Sequence, residues 1–270
     1  MIKKIKKAGI ELINNPFKVI GLLLNKMGHS RQCYVCKKRF HNFNNFDGGS
    51  KNVNIFLQKL NIVGSDMDNY GCPYCAANDR LRHLYMYFDK LNIWNKFKQS
   101  SILHFAPEKN LVPVIEHLDP NEYILADLFP SESKIQKVDI TSIPFSDSTF
   151  DFVICNHVLE HIPDYKQAFS EIFRVLKSNG TAILQTPYSR LLKKNFEDAG
   201  INNDELRAFF YAQNDHARLY SEQQFFMDLE NSGFELNIIK HSTLFSAEES
   251  YLYGVNDKED LIMVKKTSSK

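Results

Sequence analysis

The sequence predicts an α/β fold: a seven-stranded, mostly parallel sheet with helices on both faces, preceded by a small N-terminal cysteine module. Three observations carry this expectation. From Ser101 onward, short unbroken apolar runs alternate with amphipathic stretches, the pattern of strands covered on both faces. Two C-x-x-C pairs lie upstream of that alternation. No stretch reaches the roughly 18 consecutive apolar residues that a membrane-spanning helix needs. At 270 residues the chain is long enough for one large domain plus a small module.

Residues 1–30 read as a basic helical arm. Ile2, Ile5, Ile10, Leu12 and Ile13 are followed, after Pro16, by the apolar run from Phe17 to Leu24. Residues 1–40 hold ten Lys and Arg, among them Lys3, Lys4, Lys6 and Lys7, against the single acid Glu11. That is +9 of a total of +1, so the remainder of the chain carries −8. A basic arm on an acidic body fits contact with nucleic acid or an anionic membrane surface, and it equally fits a solvated helix packed by its apolar side. The opening resembles the first part of a signal peptide, but Glu11, Asn14-Asn15-Pro16 and Lys18 interrupt the apolar core that export requires. A cytoplasmic location is therefore expected, where paired cysteines more often bind metal than form disulfides.

Residues 31–95 read as a metal-binding module and a linking helix. Cys33 and Cys36 form one pair, and Cys72 and Cys75 a second, 35 residues on. Each pair puts two thiolates on one tight turn, and two such turns complete the tetrahedral shell of a structural zinc ion. His41 is a substitute ligand the set does not need, and Cys155 reads as a buried core thiol inside an apolar strand. Between the pairs, 39–69 is polar and rich in Asn and Gly, and a helix is expected over 78–91.

Residues 96–270 read as one α/β domain. Strands are expected at 101–105, 123–126, 137–140, 151–156, 181–185, 234–239 and 261–264, and helices at 110–117, 165–176 and 221–232. The first strand runs into His104-Phe105-Ala106-Pro107-Glu108 and then a helix, the arrangement of a nucleotide site at the carboxyl edge of a doubly wound sheet. The second ends at Asp127, followed by Leu128, about 20 residues later, the placement of a carboxylate that accepts from ribose hydroxyls. The third reaches Asp139-Ile140, and the fourth ends at Asn156-His157, with Glu160 and His161 just beyond.

From Ile102 to about Ile239 the chain resembles a class I S-adenosylmethionine (SAM) dependent methyltransferase of the small-molecule type. More narrowly, it resembles a bacterial subgroup with His-Phe-Ala-Pro-Glu in place of the glycine-rich loop and an N-terminal cysteine module. Asp79-Arg80-Leu81-Arg82-His83 and the stretch from Gln213 to Tyr220 belong to the same likeness. The resemblance implies a Rossmann-like fold and SAM as cofactor. It implies that His104, Phe105, Ala106, Pro107 and Glu108 line the methionine end, that Asp127 with Leu128 holds the ribose, and that Asp139 and Ile140 hold the adenine. Asn156 and His157 would sit beneath the sulfonium. His216, His157 and His161 are the candidate bases, His216 the better placed of them, with His157, Glu160 and His161 expected on one helical turn and Arg218 as an anion binder for substrate. The acceptor implied is a hydroxyl or amine of a small molecule or sugar-linked precursor, in cell-surface glycan synthesis. Two other readings stay open: an RNA methyltransferase gripping phosphates with the module and arm, and a non-catalytic zinc-bearing interaction protein on a degenerate methyltransferase fold. Oligomeric state is not specified by the sequence.

Overall fold

A computed structural model describes residues 16–267; the arm residues Lys3, Lys4, Lys6, Lys7 and Glu11 lie outside that range. The chain divides into two compact units. One holds the described residues up to Asn52 with Ser65–Tyr85 and Ser246–Asn256; the other holds Val53–Gly64, Met86–Phe245 and the described residues from Asp257. No helix among the described residues is long and apolar enough to cross a membrane.

The second unit is built on seven strands: β1 (Ser101–Phe105), β2 (Glu122–Asp127), β3 (Gln136–Lys137), β4 (Phe150–Cys155), β5 (Leu176–Ile183), β6 (Phe234–Ile239) and β7 (Leu261–Lys266). Their order in the sheet is β6-β7-β5-β4-β1-β2-β3. All neighbours pair in parallel except β7, which runs antiparallel to both β5 and β6. The helices used below are α1 (Asp79–Lys90), α2 (Val112–His117), α3 (Tyr165–Val175), α4 (Asp204–Tyr211), α5 (Glu222–Asn231) and α6 (Ala247–Tyr253). This is the Rossmann-like α/β sheet expected from the sequence.

The apolar runs of β1 and β4 are unbroken because both faces of these central strands are covered. Four of the five β1 residues and five of the six in β4 are buried. Helix α3 shows how the outer layer forms. Asp164 caps its first turn by accepting from the Gln167 N–H, and Tyr165, Ala168, Phe169, Ile172 and Val175 fall on one buried stripe. Phe169 is fully buried in the core with Leu103, Val153, Phe225 and Ile262, so truncation to Ala would cost about 3–5 kcal/mol.

Several boundaries differ from expectation. Strand β3 stops at Lys137 instead of Ile140, because the Asp139 carboxylate accepts from the N–H and hydroxyl of Thr141 and turns the chain. Strand β5 begins at Leu176, five residues before the expected start, since α3 runs straight into it. Helices α4 and α6 were not anticipated, and the polar stretch after Arg39 hides a short helix, Ile55–Lys59, and a strand, Ile62–Val63. That strand pairs antiparallel with Tyr188–Ser189, which in turn pairs in parallel with Tyr220–Ser221.

In the first unit, a hairpin of Arg31–Gln32 and Arg39–Phe40 frames the first cysteine pair. The buried guanidinium of Arg82 on α1 donates to the carbonyls of Asn69, Tyr70, Ala77, Tyr253 and Gly254 and lies 3.9 Å from the Phe43 ring centroid. One side chain thus ties three separate chain segments together. The described part of the arm is the helix Pro16–Asn25, and its Ile20, Leu23 and Leu24 are about half exposed.

Candidate functional site

Strand order reverses between β1 and β4: the chain fills the sheet outward from β1 to β3 on one side, then from β4 on the other. Ligands of open α/β sheets bind beyond the carboxyl ends of the strands at such a reversal. The pairing of Phe105 with Cys155 and with Ala126 brings Ala106, Asp127 and Asn156 to that edge side by side.

The turn after β1 is bent the way a glycine turn would be. Ala106 has φ 47, in the left-handed region that costs a residue with a Cβ about 1 kcal/mol or more. Its N–H donates to the Ala126 carbonyl at 2.9 Å, which fixes the turn against β2. Beyond it, Glu108 is clamped. Its Oε2 lies 2.7 Å from His104 Nε2, and its Oε1 accepts from Asn156 Nδ2 at 3.1 Å. An ionised carboxylate only accepts, so Nε2 carries the proton and His104 Nδ1 accepts from the Tyr123 hydroxyl at 2.8 Å. Burial pushes the Glu108 carboxyl up, but His104 and Asn156 outweigh it and hold it below the usual range. The result is a fixed anion at the mouth of the crevice.

Asp127, half-buried at the end of β2, accepts from the Phe129 N–H at 2.8 Å through Oδ1. Leu128 is 38% exposed and Phe129 81% exposed beside it. Phe129, two residues beyond the strand-terminal acid, is a further exposed aromatic at this edge that no spacing pattern marks. Asp139 is exposed at its turn, whereas Ile140 is buried in the core and contributes packing beneath that edge.

The fourth strand runs directly into a second polar cluster. His157 has φ 54, and the following short helix begins only at Leu159, so the expected single helical turn carrying both His157 and His161 does not exist. The left-handed residue swings His157 back instead: its Nδ1 lies 3.4 Å from Glu160 Oε1 and its Nε2 4.0 Å from Glu259 Oε1. Glu160 is buried and also accepts from the Thr186 hydroxyl at 3.0 Å. Burial raises its pKa, yet His157, with His216 and His161, brings it down to about 2. His161 and His216 meet edge to face with ring centroids 4.8 Å apart. His216 Nδ1 donates to the Tyr211 carbonyl at 2.7 Å, and burial lowers the pKa of this imidazole, so it is neutral with its lone pair on Nε2.

Arg218 does not serve as an anion binder. It is 4% exposed, and its guanidinium donates to Glu197 and to the carbonyls of Ile162 and Pro163 while lying over the Tyr165 ring. With its donors engaged inside the fold, it anchors the loop that carries His216.

In the first unit, the four paired cysteines converge. Cys33 and Cys75 Sγ lie 3.7 Å apart, as do Cys36 and Cys72. Sulfurs at 2.3 Å from a tetrahedral ion sit about 3.8 Å from one another. The two turns are built alike: residues Lys37 and Ala76, each following the second cysteine of its pair, have φ near 60, and each N–H donates to the carbonyl of the first. The Cys33 thiol beside it draws Cys72 down to about 5, and Cys33 itself is raised in return. His41 is absent from the cluster, and Cys155 is fully buried in β4.

Residues 100–184 match the family model described as a methyltransferase domain. Among curated relatives, the demethylmenaquinone methyltransferase of Lactobacillus johnsonii is 30% identical over 122 residues, covering 40% of this chain and 49% of its own length. The ubiquinone/menaquinone biosynthesis C-methyltransferase UbiE of Campylobacter jejuni is 25% identical, covering 55% of this chain and 66% of its own length. For the sterol 24-C-methyltransferase erg-4 of Neurospora crassa the figures are 26%, 42% and 29%. The chain thus spans less than two thirds of these relatives' lengths. Among solved structures, it is similar to a SAM-dependent methyltransferase from Mesorhizobium loti (11% identical, TM-score 0.49, covering 67% of this chain and 97% of that one). The YcgJ protein of Bacillus subtilis is a further such structure (14% identical, TM-score 0.43, covering 68% and 100%). Within the matched segment lie His104 to Glu108, Asp127, Asp139, Asn156, His157 and His161, while His216 follows it.

Proposed function

We propose that the whole chain transfers a methyl group from SAM to a hydroxyl or amine of a small molecule or sugar-linked precursor, and that the cysteine set holds a structural zinc ion. The observation that carries the cofactor reading is the clamped Glu108 at the strand-order reversal, in line with Asp127 on the next strand. The donor chemistry fits the cofactor: a buried-side carboxylate suits an ammonium, and a strand-terminal acid suits vicinal hydroxyls.

When bound, SAM supplies an electrophilic methyl on a sulfonium, the hard part of the chemistry. Glu108 would receive the amino group of its methionine end, with His104 and Asn156 holding the carboxylate in place. The backbone of Phe105 and Ala106 would shape the turn, and Pro107, which lacks an N–H, would contribute only shape. Asp127 would accept from the ribose hydroxyls, and Leu128 and Asp139 would frame the adenine, with the buried Ile140 packing behind them. His157 would take the acceptor's proton, oriented by Glu160 at 3.4 Å. His216, at 2% exposure, is too deep to reach an acceptor directly and would act through its neighbours.

A second reading, transfer to carbon, is favoured by two relatives whose names specify C-methylation. Labelled SAM with panels of hydroxylated, amino and quinol acceptors tests both. Turnover of a hydroxyl or amine substrate that falls at least 100-fold in His157→Ala, with cofactor binding intact, supports the first reading. Turnover confined to carbon acceptors overturns it.

A further inference from the structure

We propose that Glu160, His161 and His216 form a binding site for a first-row divalent transition-metal ion, distinct from the cysteine set. One carboxylate oxygen and two imidazole nitrogens lie within 4.8 Å of one another. Two histidines and one carboxylate are a donor set that holds such ions while leaving positions open for other ligands.

Both imidazoles are oriented for this. His216 uses Nδ1 to donate to the Tyr211 carbonyl, so Nε2 presents a lone pair. That Nε2 is buried and has no hydrogen-bond partner among the described residues. An unmatched acceptor in such a place is unfavourable, and an ion removes that cost. His161 points Nδ1 at the backbone oxygen of Asp215 (3.3 Å) and at its carboxylate (3.5 Å), which leaves Nε2 for the ion. A ligand nitrogen whose ring partner donates to a carbonyl or carboxylate is the usual outer arrangement of a metal-bound histidine. Glu160 is steadied by the Thr186 hydroxyl, and its backbone carbonyl accepts from the Ala217 N–H at 2.7 Å, which pins the carboxylate-bearing turn to the loop of His216.

Donors around a bound ion sit about 3.0–3.5 Å apart, given bonds near 2.1 Å. Closure from 4.8 Å is available at His161, whose side chain is 31% exposed, with Asp215 at 63% free to follow. His216 and Glu160 form the fixed part of the site.

The site stands apart from the choice of methyl acceptor, and metal content tests it without turnover. The purified full chain is equilibrated with Zn(II) or Co(II), freed of loose metal, and assayed for bound ion by mass spectrometry. The parent is expected to hold one more equivalent than His216→Gln or Glu160→Gln, each checked for folding by circular dichroism. Cys72→Ser should lose a different equivalent, so the Co(II)–thiolate absorption survives in His216→Gln and vanishes in Cys72→Ser. Asp215→Ala, which removes only an outer partner, should weaken the non-thiolate site about 10- to 100-fold in chelator competition. Equal metal content in the parent and in folded His216→Gln and Glu160→Gln overturns the proposal.

Discussion

Replacing Glu108 with Gln removes one charge and almost no volume. The carboxylate makes two contacts within the protein, 2.7 Å to His104 Nε2 and 3.1 Å to Asn156 Nδ2. An amide satisfies both if its oxygen accepts from Asn156 and its NH2 faces His104. That requires His104 to shift its proton to Nδ1 and donate to the Tyr123 hydroxyl, which accepts as readily as it donates. The cost to the fold is therefore small, about 1 kcal/mol. The cost to a bound ammonium is larger: a charge-assisted hydrogen bond contributes about 1.5–3 kcal/mol, which is roughly 10- to 150-fold in affinity. Calorimetric titration with S-adenosylhomocysteine reads that loss, and methylthioadenosine, which lacks the amino-acid end, serves as the control. The variant should weaken the first ligand and leave the second unchanged. Because the Glu108 pKa is depressed, its ionised form and its contribution to stability are present above the ordinary carboxylate range and are lost only as pH falls through the lower folded value. Parent affinity should accordingly stay flat from about pH 7 to about pH 5. Equal losses for both ligands, or no loss for either, would refute the assignment of Glu108 to the methionine end.

Three further outcomes follow from the geometry. Ala106→Gly should leave stability unchanged or raise it by about 1 kcal/mol, since φ 47 suits glycine, whereas Ala106→Val should lower it; denaturant unfolding measures both. Arg82→Met should destabilise the first unit by about 3–5 kcal/mol, because five carbonyls lose their donor, and hydrogen exchange across Ser65–Tyr85 and Ser246–Asn256 should rise with it. In a His216→Gln background, chelation should remove one ion from the cysteine set and lower the melting temperature, and the same chelator should leave the melting temperature of Cys72→Ser in that background unmoved.

Much of the sheet was legible because its central strands are buried on both sides. Ile102 to Phe105 and Phe152 to Cys155 read as strands from composition alone. Helix α3 was legible from its apolar stripe. Two things escaped. Helix α6 carries a capping box, Ser246 with Glu249, that the sequence displayed and the apolar periodicity did not support. The strand Ile62–Val63 is two residues long and exists only through its partner Tyr188–Ser189, a pairing 126 residues away that no local pattern encodes. The candidate site divides the same way. Asp127 and the turn at Ala106 follow from strand ends, and the cysteine set follows from spacing. The contact of Glu160 with His216 depends on two loops meeting, and the left-handed conformation of His157 reverses the face that helical spacing implied. Arg218 looked like a free cation only because its carbonyl partners at Ile162 and Pro163 are some 55 residues away in sequence.

The central claim is that the carboxyl edge of β1, β2 and β4 is a SAM site. Titration of the parent and of Asp127→Ala with S-adenosylhomocysteine tests it most directly. Two charge-assisted hydrogen bonds from ribose hydroxyls amount to about 3 kcal/mol or more, so micromolar binding by the parent should weaken at least 100-fold in the variant while both proteins stay folded. Undiminished binding by folded Asp127→Ala, or no binding by the folded, metal-loaded parent, would contradict the account.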